Sequence, residues 1–365
     1  MRLLVFSDLH LDTPFEWAPP RVGRRRRQGL RDTLVRIVQL AAQLDVAALL
    51  CGGDLYEDDR CSPDTAEFLR HTLAQLAPLP VYIAPGNHDW YGPDSLYART
   101  RWSPNVHVFT GDRLQPVTLT AGLTLWGAAH RTPANTDGFL TEFAVDRGGV
   151  HLALFHGSER SWLSEQNGTK IPHAPFDAEQ IERAGLHHAF LGHYHRPRDA
   201  PRYTYPGNPE PLAFGEDGDR GVVVATVSPD GSVARERRAV RSGQLHDIEL
   251  DIGGCRCLQD VRAAVATALQ GRSGSARITL IGELQPELDL HIESLPDAAE
   301  WMEAVVIRTG EVRPGYDLAA LAQEATVRGQ FVRDVNDAQL DAEVRRRVLI
   351  TGLRALDGRD DLEVP

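Results

Sequence analysis

The sequence predicts an α/β fold with a smaller α+β domain at its C-terminal end. Through the first two-thirds of the chain, short apolar runs of strand length alternate with amphipathic stretches at helical spacing. Hydrophobic residues make up 42% of the chain and charged residues 25%, which are ordinary globular proportions and exclude a disordered or collagen-like chain. The 365 residues are enough for one large domain and a smaller companion.

The apolar runs of the first two-thirds are predicted strands, and the periodic stretches between them are predicted helices. Leu30, Leu34 and Ile37 share one face of a helix expected over residues 24–44. Most of the strands end directly at a polar cluster, and ligands bind outside the carboxyl ends of the strands in open α/β sheets. The predicted strands are residues 3–6, 46–51, 81–84, 123–129, 152–155, 189–191 and 222–227, with a second helix at 63–76.

A domain boundary is predicted near residues 241–244, after a charged strand at 233–240. Residues 1–240 then form the large domain, and residues 245–365 form an accessory or capping domain. In the second domain the pattern predicts strands at 246–252, 276–281 and 304–309, a helix at 258–269, and two further helices that end near residue 356.

The charge is uneven along the chain and does not exclude nucleic acid as a partner. The formal charge is −12, yet residues 245–365 carry 22 acidic residues against 13 basic ones, so most of the excess lies outside the large domain. Four cysteines are too sparse for a disulfide scaffold, which favours a reducing, cytoplasmic compartment. No apolar run approaches the roughly 18 residues of a membrane span, so we expect no membrane association.

Five polar clusters carry the chemistry, and each follows an apolar run. Their Asp and Asn side chains offer hard oxygen ligands and their His side chains offer nitrogen, a mixture that suits octahedral divalent ions such as Mn²⁺. Two such ions can hold the attacking and leaving oxygens of a phosphoryl displacement, with one carboxylate bridging them. Asp54, in the middle of the order, is the predicted bridge. The clusters are Asp8-Leu9-His10, Gly53-Asp54, Gly86-Asn87-His88-Asp89, His156-Gly157 and Gly192-His193-Tyr194-His195.

In this order the clusters resemble the calcineurin-like metallophosphoesterases, whose pattern D-x-H, G-D, G-N-H-D/E, H-G, G-H-x-H is matched at every position. The resemblance covers about the first 240 residues and implies a two-sheet sandwich flanked by helices. It also implies two divalent metal ions, for which we expect Mn²⁺, and makes His88 the catalytic histidine. The implied ligands of one ion are Asp8, His10, Asp54 and His195, and those of the other are Asp54, Asn87, His156 and His193.

Two neighbouring residues are predicted to act in the proton transfer. An imidazole ordinarily titrates near neutral pH, so His88 is expected to steady the phosphate and donate a proton to the departing oxygen. Asp89 is the second predicted catalytic residue, because we expect its carboxylate to accept a hydrogen bond from the His88 ring and to fix the tautomer.

Finer segments resemble the SbcD-type DNA repair nucleases and, within them, the YhaO-like branch. G-D-L-Y-E-D at 53–58, Y-P-G-N-P at 205–209 and F-G-E at 214–216 are similar to the SbcD group. H-L-D-T-P-F at 10–15 and E-A-T-V-R-G-Q-F at 324–331 are similar to the YhaO branch. This resemblance implies a metal-dependent DNA exonuclease or endonuclease in DNA repair, working as the nuclease subunit beside an SbcC-like coiled-coil ATPase, with a homodimer as a further option.

Two other functions stay open on the sequence alone. One is a phosphodiesterase or phosphatase that acts on small substrates, and the separate C-terminal domain counts against it. The other is a non-catalytic adaptor that binds DNA ends, and the complete ligand set with His88 counts against that.

Several further features have both a structural and a functional interpretation. The four arginines at 24–27 either contact a DNA backbone or form a solvated helix start, and the sequence does not decide between them. An apolar stripe on a helix over residues 338–356 is expected to pack on its own domain, with docking of the partner as the alternative. Packing is expected for three tyrosines, with stacking on a base at a DNA end as the alternative, and four histidines outside the motifs are expected to be structural. The tyrosines are Tyr194, Tyr203 and Tyr205, and the histidines are His151, His173, His187 and His188.

Overall fold

The computed structural model describes residues 1–134, 136–163, 172–216, 218–241, 243–284, 288 and 290–358. It divides the chain into two compact units, Met1–Leu245 and His246–Pro365. Ser242, within the predicted boundary, and residues 359–365, at the end of the predicted second domain, lie outside the described residues. The roles that we assign to the two domains stay predictions.

The first unit contains two six-stranded sheets, which confirms the predicted α/β fold. The sheet orders are β12-β11-β1-β2-β3-β4 and β5-β6-β7-β8-β10-β9. The strands are β1 (Arg2–Phe6), β2 (Ala48–Cys51), β3 (Val81–Ile83), β4 (Val106–Val108), β5 (Gln115–Thr120), β6 (Leu123–Gly127), β7 (Val150–His156), β8 (His188–Gly192), β9 (Arg198–Asp199), β10 (Tyr203–Tyr205), β11 (Val222–Val227) and β12 (Val233–Arg238). The helices are α1 (Pro20–Gln43), α2 (Pro63–Ala74), α3 (Leu96–Arg99) and α4 (Ala178–Arg183).

The two sheets pack face to face, and strand alternation explains how each strand serves two cores. In β1, Leu3 and Val5 lie in the cluster between the sheets, together with Leu152 and Phe190 of the second sheet. The intervening residues of β1 face the opposite side, where they pack in the cluster that includes the apolar stripe of α1. The unit is therefore a sandwich flanked by helices.

Parallel pairing brings the predicted functional clusters to one region. The pairs β1–β2, β2–β3, β6–β7 and β7–β8 are parallel, and β11 runs antiparallel to β1. The clusters follow β1, β2, β3, β7 and β8, so the carboxyl ends of these strands supply the site.

The edge strand β12 is tied to the second sheet by arginine. Arg235 donates to the carbonyl oxygen of Ala200, and Arg237 donates to that of Pro206 at 3.0 Å. Arg237 also pairs with Asp199 of β9 at 3.1 Å. These contacts close one side of the sandwich.

Two of the four arginines at the start of α1 have a role that neither prediction gave them. Arg26 is buried, donates to the carbonyl oxygen of Pro211 and lies 5.6 Å from the centre of the Phe15 ring. Arg27 donates to the carbonyl oxygen of Pro14 at 3.1 Å. Only Arg24 and Arg25 of the four are exposed. Arg26 and Arg27 therefore hold loops against the helix. Their guanidinium groups donate hydrogen bonds to loop carbonyl groups that are not paired in a sheet.

The second unit is a three-stranded sheet with helices. Its elements are β13 (Leu245–Asp251), α5 (Leu258–Leu269), β14 (Ser275–Leu284), β15 (Ala304–Pro314), α6 (Leu318–Gln323), α7 (Val327–Asp337) and α8 (Ala342–Leu356). The sheet order is β13-β14-β15, with β14 and β15 parallel. The structure thus has one short helix, α6, more than predicted in this part of the chain.

The apolar stripe on α8 is only partly packed on its own domain. Leu349 and Leu353 belong to a small core of five buried side chains formed with α6 and α7. Val344, Val348 and Leu356 are 41%, 38% and 44% exposed. Packing on its own domain therefore accounts for only part of the stripe. Among the described helices, none is both long and apolar enough to cross a membrane.

Candidate metal centre and catalytic site

The predicted site residues lie at the ends of five strands, and hydrogen bonds between their loops bring them together. Asp8 and His10, which follow β1, donate their amides to the carbonyl oxygens of Gly53 and Asp54 at 2.9 and 3.0 Å. The amide of His193, which follows β8, donates to Asp8 Oδ1 at 2.9 Å. The side chain of Asp8 therefore ties the loop of the second sheet to the loop of the first.

The backbone is strained at several of these residues. Asp8, His10 and Asp54 have φ values of 55°, 50° and 51°, and His193 has a φ of 107°. Non-glycine residues in this region cost on the order of 1–3 kcal/mol each and persist only where the surrounding structure dictates them. The cost falls on predicted metal ligands, which indicates that their positions serve the site rather than the stability of the loops.

Glycine allows the loops after β2 and β3 to approach one another. Gly53 has a φ of 96°, and a Cβ there would lie 2.7 Å from the amide nitrogen of Gly86. A Cβ on Gly86 would collide with Asp54 Oδ1. The Gly residues of the G-D and G-N-H-D motifs are therefore needed for the same close contact.

The described residues contain three groups of possible ligand atoms, and two of them consist only of predicted metal ligands and share Asp8. One group contains Asp8, His10 and His195, and the other contains Asp8, Asp54 and His156, with ligand atoms within 4.8 Å of one another in each. Asp54 Oδ2 lies 3.7 Å from His10 Nε2 and 3.2 Å from His156 Nε2. Asp54 thus lies between the two groups, where a bridging carboxylate would have to be.

Four candidate ligand atoms are buried and make no hydrogen bond within the described part of the chain. Leaving such an atom without a partner costs about 1–3 kcal/mol, and a bound cation would supply the missing interaction. Carboxylate and amide oxygens together with imidazole nitrogens suit divalent transition-metal ions, so the residues fit the group that the fold implies. When bound, the ions would supply positive charge to a phosphoryl group. The four atoms are Asp8 Oδ2, His10 Nε2, Asn87 Oδ1 and His156 Nε2.

Three of the candidate histidine ligands are oriented by a partner on Nδ1. His10 Nδ1 lies 2.7 Å from Glu57 Oε1, and His156 Nδ1 lies 2.9 Å from the carbonyl oxygen of Gly52. His195 Nδ1 lies 2.6 Å from Glu216 Oε1. Each ring therefore keeps Nε2 for the metal, which is how metal-binding histidines are commonly fixed.

Glu57 and Glu216 have roles in the site that the sequence did not reveal. Burial opposes their ionisation, but the hydrogen bonds from His10 and His88 lower the pKa of Glu57 to about 2, and the hydrogen bond from His195 does the same for Glu216. Both residues stood within segments that carried the family resemblance. Their position in those segments was the signal available, since nothing in residue spacing pairs a glutamate with a distant histidine.

His88 lies at the open side of the site. Its side chain is 46% exposed, and its amide donates to Asp54 Oδ1 at 2.9 Å. Its Nδ1 lies 2.8 Å from Glu57 Oε2, and this hydrogen bond raises the pKa of His88 to about 9. A protonated, accessible imidazole beside the candidate metal ligands can donate a proton to a leaving oxygen.

The predicted hydrogen bond between Asp89 and the His88 ring is wrong. Each carboxylate oxygen of Asp89 already accepts two hydrogen bonds from other groups. The ring of His88 is hydrogen-bonded to Glu57 instead. Burial and the charge of Asp54 raise the pKa of Asp89 to about 6 against the effect of its donors. Its role is therefore to hold the loops of the site in place. The donors are the amides of Asp54 (3.0 Å), Leu55 (2.7 Å) and Gly86 (2.6 Å) and the Tyr97 hydroxyl (2.6 Å).

Other side chains near the site pack as the sequence predicted. Tyr194, Tyr203 and Tyr205 are buried in the core on the outer side of the second sheet. His188 Nε2 lies 2.9 Å from the Thr204 hydroxyl, and His151 Nδ1 accepts from the Trp126 indole at 3.2 Å.

The fold and the site together define a metal-dependent phosphoesterase. Residues 1–197 match the model of the family described as calcineurin-like phosphoesterases. The chain belongs to that family.

Two curated relatives and one solved structure extend this comparison. The chain is 24% identical to YhaO of Bacillus subtilis (strain 168), an uncharacterized metallophosphoesterase, over 63% of this chain and 58% of that protein. It is 24% identical to the DNA double-strand break repair protein Mre11 of Haloferax volcanii over 96% of this chain and 74% of that protein. The crystal structure of TT1561 of Thermus thermophilus matches 66% of this chain and 99% of its own with 14% identity and a TM-score of 0.38.

The bridging position of Asp54 predicts how metal content responds to mutation. Asp54→Ala should lower the content of both ions, because Asp54 Oδ2 lies 3.7 Å from His10 Nε2 and 3.2 Å from His156 Nε2, whereas His195→Ala should weaken mainly one. Elemental analysis of the two purified variants beside the parent measures this. Parent stoichiometry in Asp54→Ala would remove the bridging assignment.

The different surroundings of His88 and Asp89 predict different defects. His88→Ala should keep both ions and lose roughly 10²–10⁴-fold in the rate of phosphodiester cleavage, the usual contribution of a positioned acid. Asp89→Ala should lose at least about 3 kcal/mol of unfolding free energy, because three buried amides lose their acceptor at about 1–3 kcal/mol each. Urea unfolding, metal analysis and single-turnover cleavage of a labelled DNA duplex at saturating Mn²⁺ measure these effects. An Asp89→Ala protein of parent stability, or a His88→Ala protein without metal, would contradict the assignment.

Proposed function

We propose that the protein is a metal-dependent DNA nuclease that hydrolyses phosphodiester bonds in DNA repair. The proposal is carried by the similarity to the archaeal repair protein Mre11. This similarity covers 96% of the chain and so extends beyond the phosphoesterase unit. A phosphoesterase with an unrelated second unit would be similar to Mre11 over its first unit only. The YhaO similarity, which covers 63% of the chain, is compatible with the same function.

The site is suited to a phosphodiester. Cleavage of a diester needs a proton for the departing oxygen, and His88, held by Glu57 and half-exposed beside Asp54, is placed to provide it. Asp8, His10, Asp54 and His195 would hold one ion, and Asp54, Asn87, His156 and His193 the other. Mn²⁺ is the ion that we expect from this donor set.

Exposed arginines next to the site favour a polyanionic substrate. Arg196 directly follows His195 and is exposed. Arg131 is also exposed, and its guanidinium carbon lies 5.4 Å from the centre of the Tyr91 ring. Tyr91 belongs to the loop that follows His88. Contacts of this kind to phosphates release counterions and strengthen binding to DNA. The overall charge of −12 is concentrated in the second unit and does not oppose them.

The nuclease proposal is tested by comparing two substrates. With Mn²⁺, the purified chain should shorten or cut an end-labelled linear duplex, and chelation or His88→Ala should abolish the cleavage. Hydrolysis of bis-p-nitrophenyl phosphate without cleavage of DNA would instead support a small-substrate phosphodiesterase. Binding to DNA ends without hydrolysis of either substrate would support the adaptor. In each case the nuclease proposal would fail.

The proposal includes an SbcC-like coiled-coil ATPase as the partner, and α8 as its docking site. Val344, Val348 and Leu356 leave an exposed apolar stripe on a helix whose other face is packed. Such a stripe suits the apolar face of a partner helix.

The docking site predicts a position-specific loss of affinity. The double variant Val344→Asp and Val348→Asp should weaken binding of the purified ATPase by at least about tenfold, because it buries two charges in an apolar contact. Arg346→Asp, at an exposed position between the two on the other side of the helix, should have little effect. Titration calorimetry of the full chain compares them. Parent affinity in the double variant would exclude α8 as the docking site.

A further inference from the structure

Four histidines form a closed ring on one side of the site. Their ring centres are 5.2 Å apart for His156 and His193, 5.4 Å for His193 and His173, 5.9 Å for His173 and His130, and 5.6 Å for His130 and His156. His156 and His193 are candidate ligands of the second ion. His130 and His173 belong to none of the five motifs.

His130 has a complete structural explanation. It is buried, its Nε2 lies 2.8 Å from the carbonyl oxygen of His156, and its Nδ1 lies 2.7 Å from the Thr136 hydroxyl. Both ring nitrogens are therefore engaged, and burial lowers the pKa of His130 to about 3. The residue supports the main chain at His156 and has no free atom for a ligand.

His173 is held in place by its main chain. Its amide donates to the Ser158 hydroxyl at 3.1 Å, and the Ser158 amide donates to its carbonyl oxygen at 2.8 Å. Ser158 is buried and lies two residues after His156. The backbone of His173 is thus fixed to the strand that ends at a candidate metal ligand.

The ring of His173 differs from those of the other histidines that the sequence assigned to structural roles. His173 Nδ1 is buried and makes no hydrogen bond within the described residues. His151, His187 and His188 all have hydrogen-bond partners on their rings. His173 Nδ1 is thus buried without a hydrogen bond, as are candidate metal-facing atoms such as His10 Nε2 and His156 Nε2. Such an atom calls for a partner, which an ordered water, an ion or a bound group can supply.

Direct metal coordination does not fit His173 as well as contact with the substrate does. The second ion already has four predicted ligands in the motifs, Asp54, Asn87, His156 and His193, and His173 belongs to none of those motifs. Its ring centre lies 5.4 Å from that of His193, so it stands beside the predicted ligand set of the second ion without being part of it.

We propose that His173 is a phosphate-binding residue, which hydrogen-bonds an oxygen of the phosphoryl group held at the second metal position. The proposal depends on the phosphoester chemistry of the family. It does not depend on DNA being the substrate.

Inorganic phosphate is the probe that tests this, since it is the simplest phosphoryl ligand of such a site. We measure its affinity for the Mn²⁺-loaded full chain by titration calorimetry. His173→Ala should weaken phosphate binding by about tenfold or more, the effect of one hydrogen bond to a charged group. His173→Gln, which keeps a hydrogen-bonding side chain, should recover most of the loss. His71→Ala, at an exposed histidine on α2, is the matched control and should bind as the parent does.

Metal content and thermal unfolding of the same preparations separate the possible outcomes. Two ions per chain with weakened phosphate binding in His173→Ala and recovery in His173→Gln would support the proposal. Unchanged phosphate affinity, or the same loss in both variants, would overturn it. Loss of one ion would also overturn it, because His173 would then be a metal ligand. A protein that binds phosphate through His173 but leaves DNA uncut would refute the nuclease proposal alone.

Discussion

The carboxylate of Asp89 is the group on which the arrangement of the site depends. It is buried and accepts three backbone amides, from Asp54 and Leu55 after β2 and from Gly86 after β3. Neither loop could satisfy these amides by strand pairing, because both have left the sheet. One charged acceptor thus fixes two loops at once. Asp54 and Asn87 take their places as a result.

The site then combines rigid supports with atoms that lack partners. Glu57 holds both His10 and His88, and Glu216 holds His195. Behind Glu216, Asn208 and the amide of Leu212 donate to Oε2 at 2.7 Å each. The atoms left over face the same region, and the strained backbone of Asp8, His10 and Asp54 keeps them there. A site prepared in this way needs little rearrangement when a cation arrives.

The sequence was sufficient for the fold class and for which residues meet, but not for how they are supported. Strong apolar runs such as β7 and β8 are buried on both faces and were predicted, whereas β4 and β9 have two or three residues and partly exposed side chains. The motif order predicted that Asp54 lies among the histidines. Adjacency in sequence suggested the wrong partner for His88, because the loop turns Asp89 inward while Glu57 approaches from the neighbouring strand end. Hydrogen bonds between distant segments leave no periodic signal in a single sequence.

The arginines of β12 have a consequence for the behaviour of the protein in concentrated solution. An edge strand exposes unpaired backbone groups to which a strand of another molecule can add, and this is a common route to aggregation. Here Arg235 and Arg237 point to the backbone of the second sheet, while Arg238 pairs with Glu236 at 2.8 Å on the outer side. Charge on both faces of the last strand makes intermolecular strand addition unfavourable. The first sheet is therefore protected against self-association at its β12 edge.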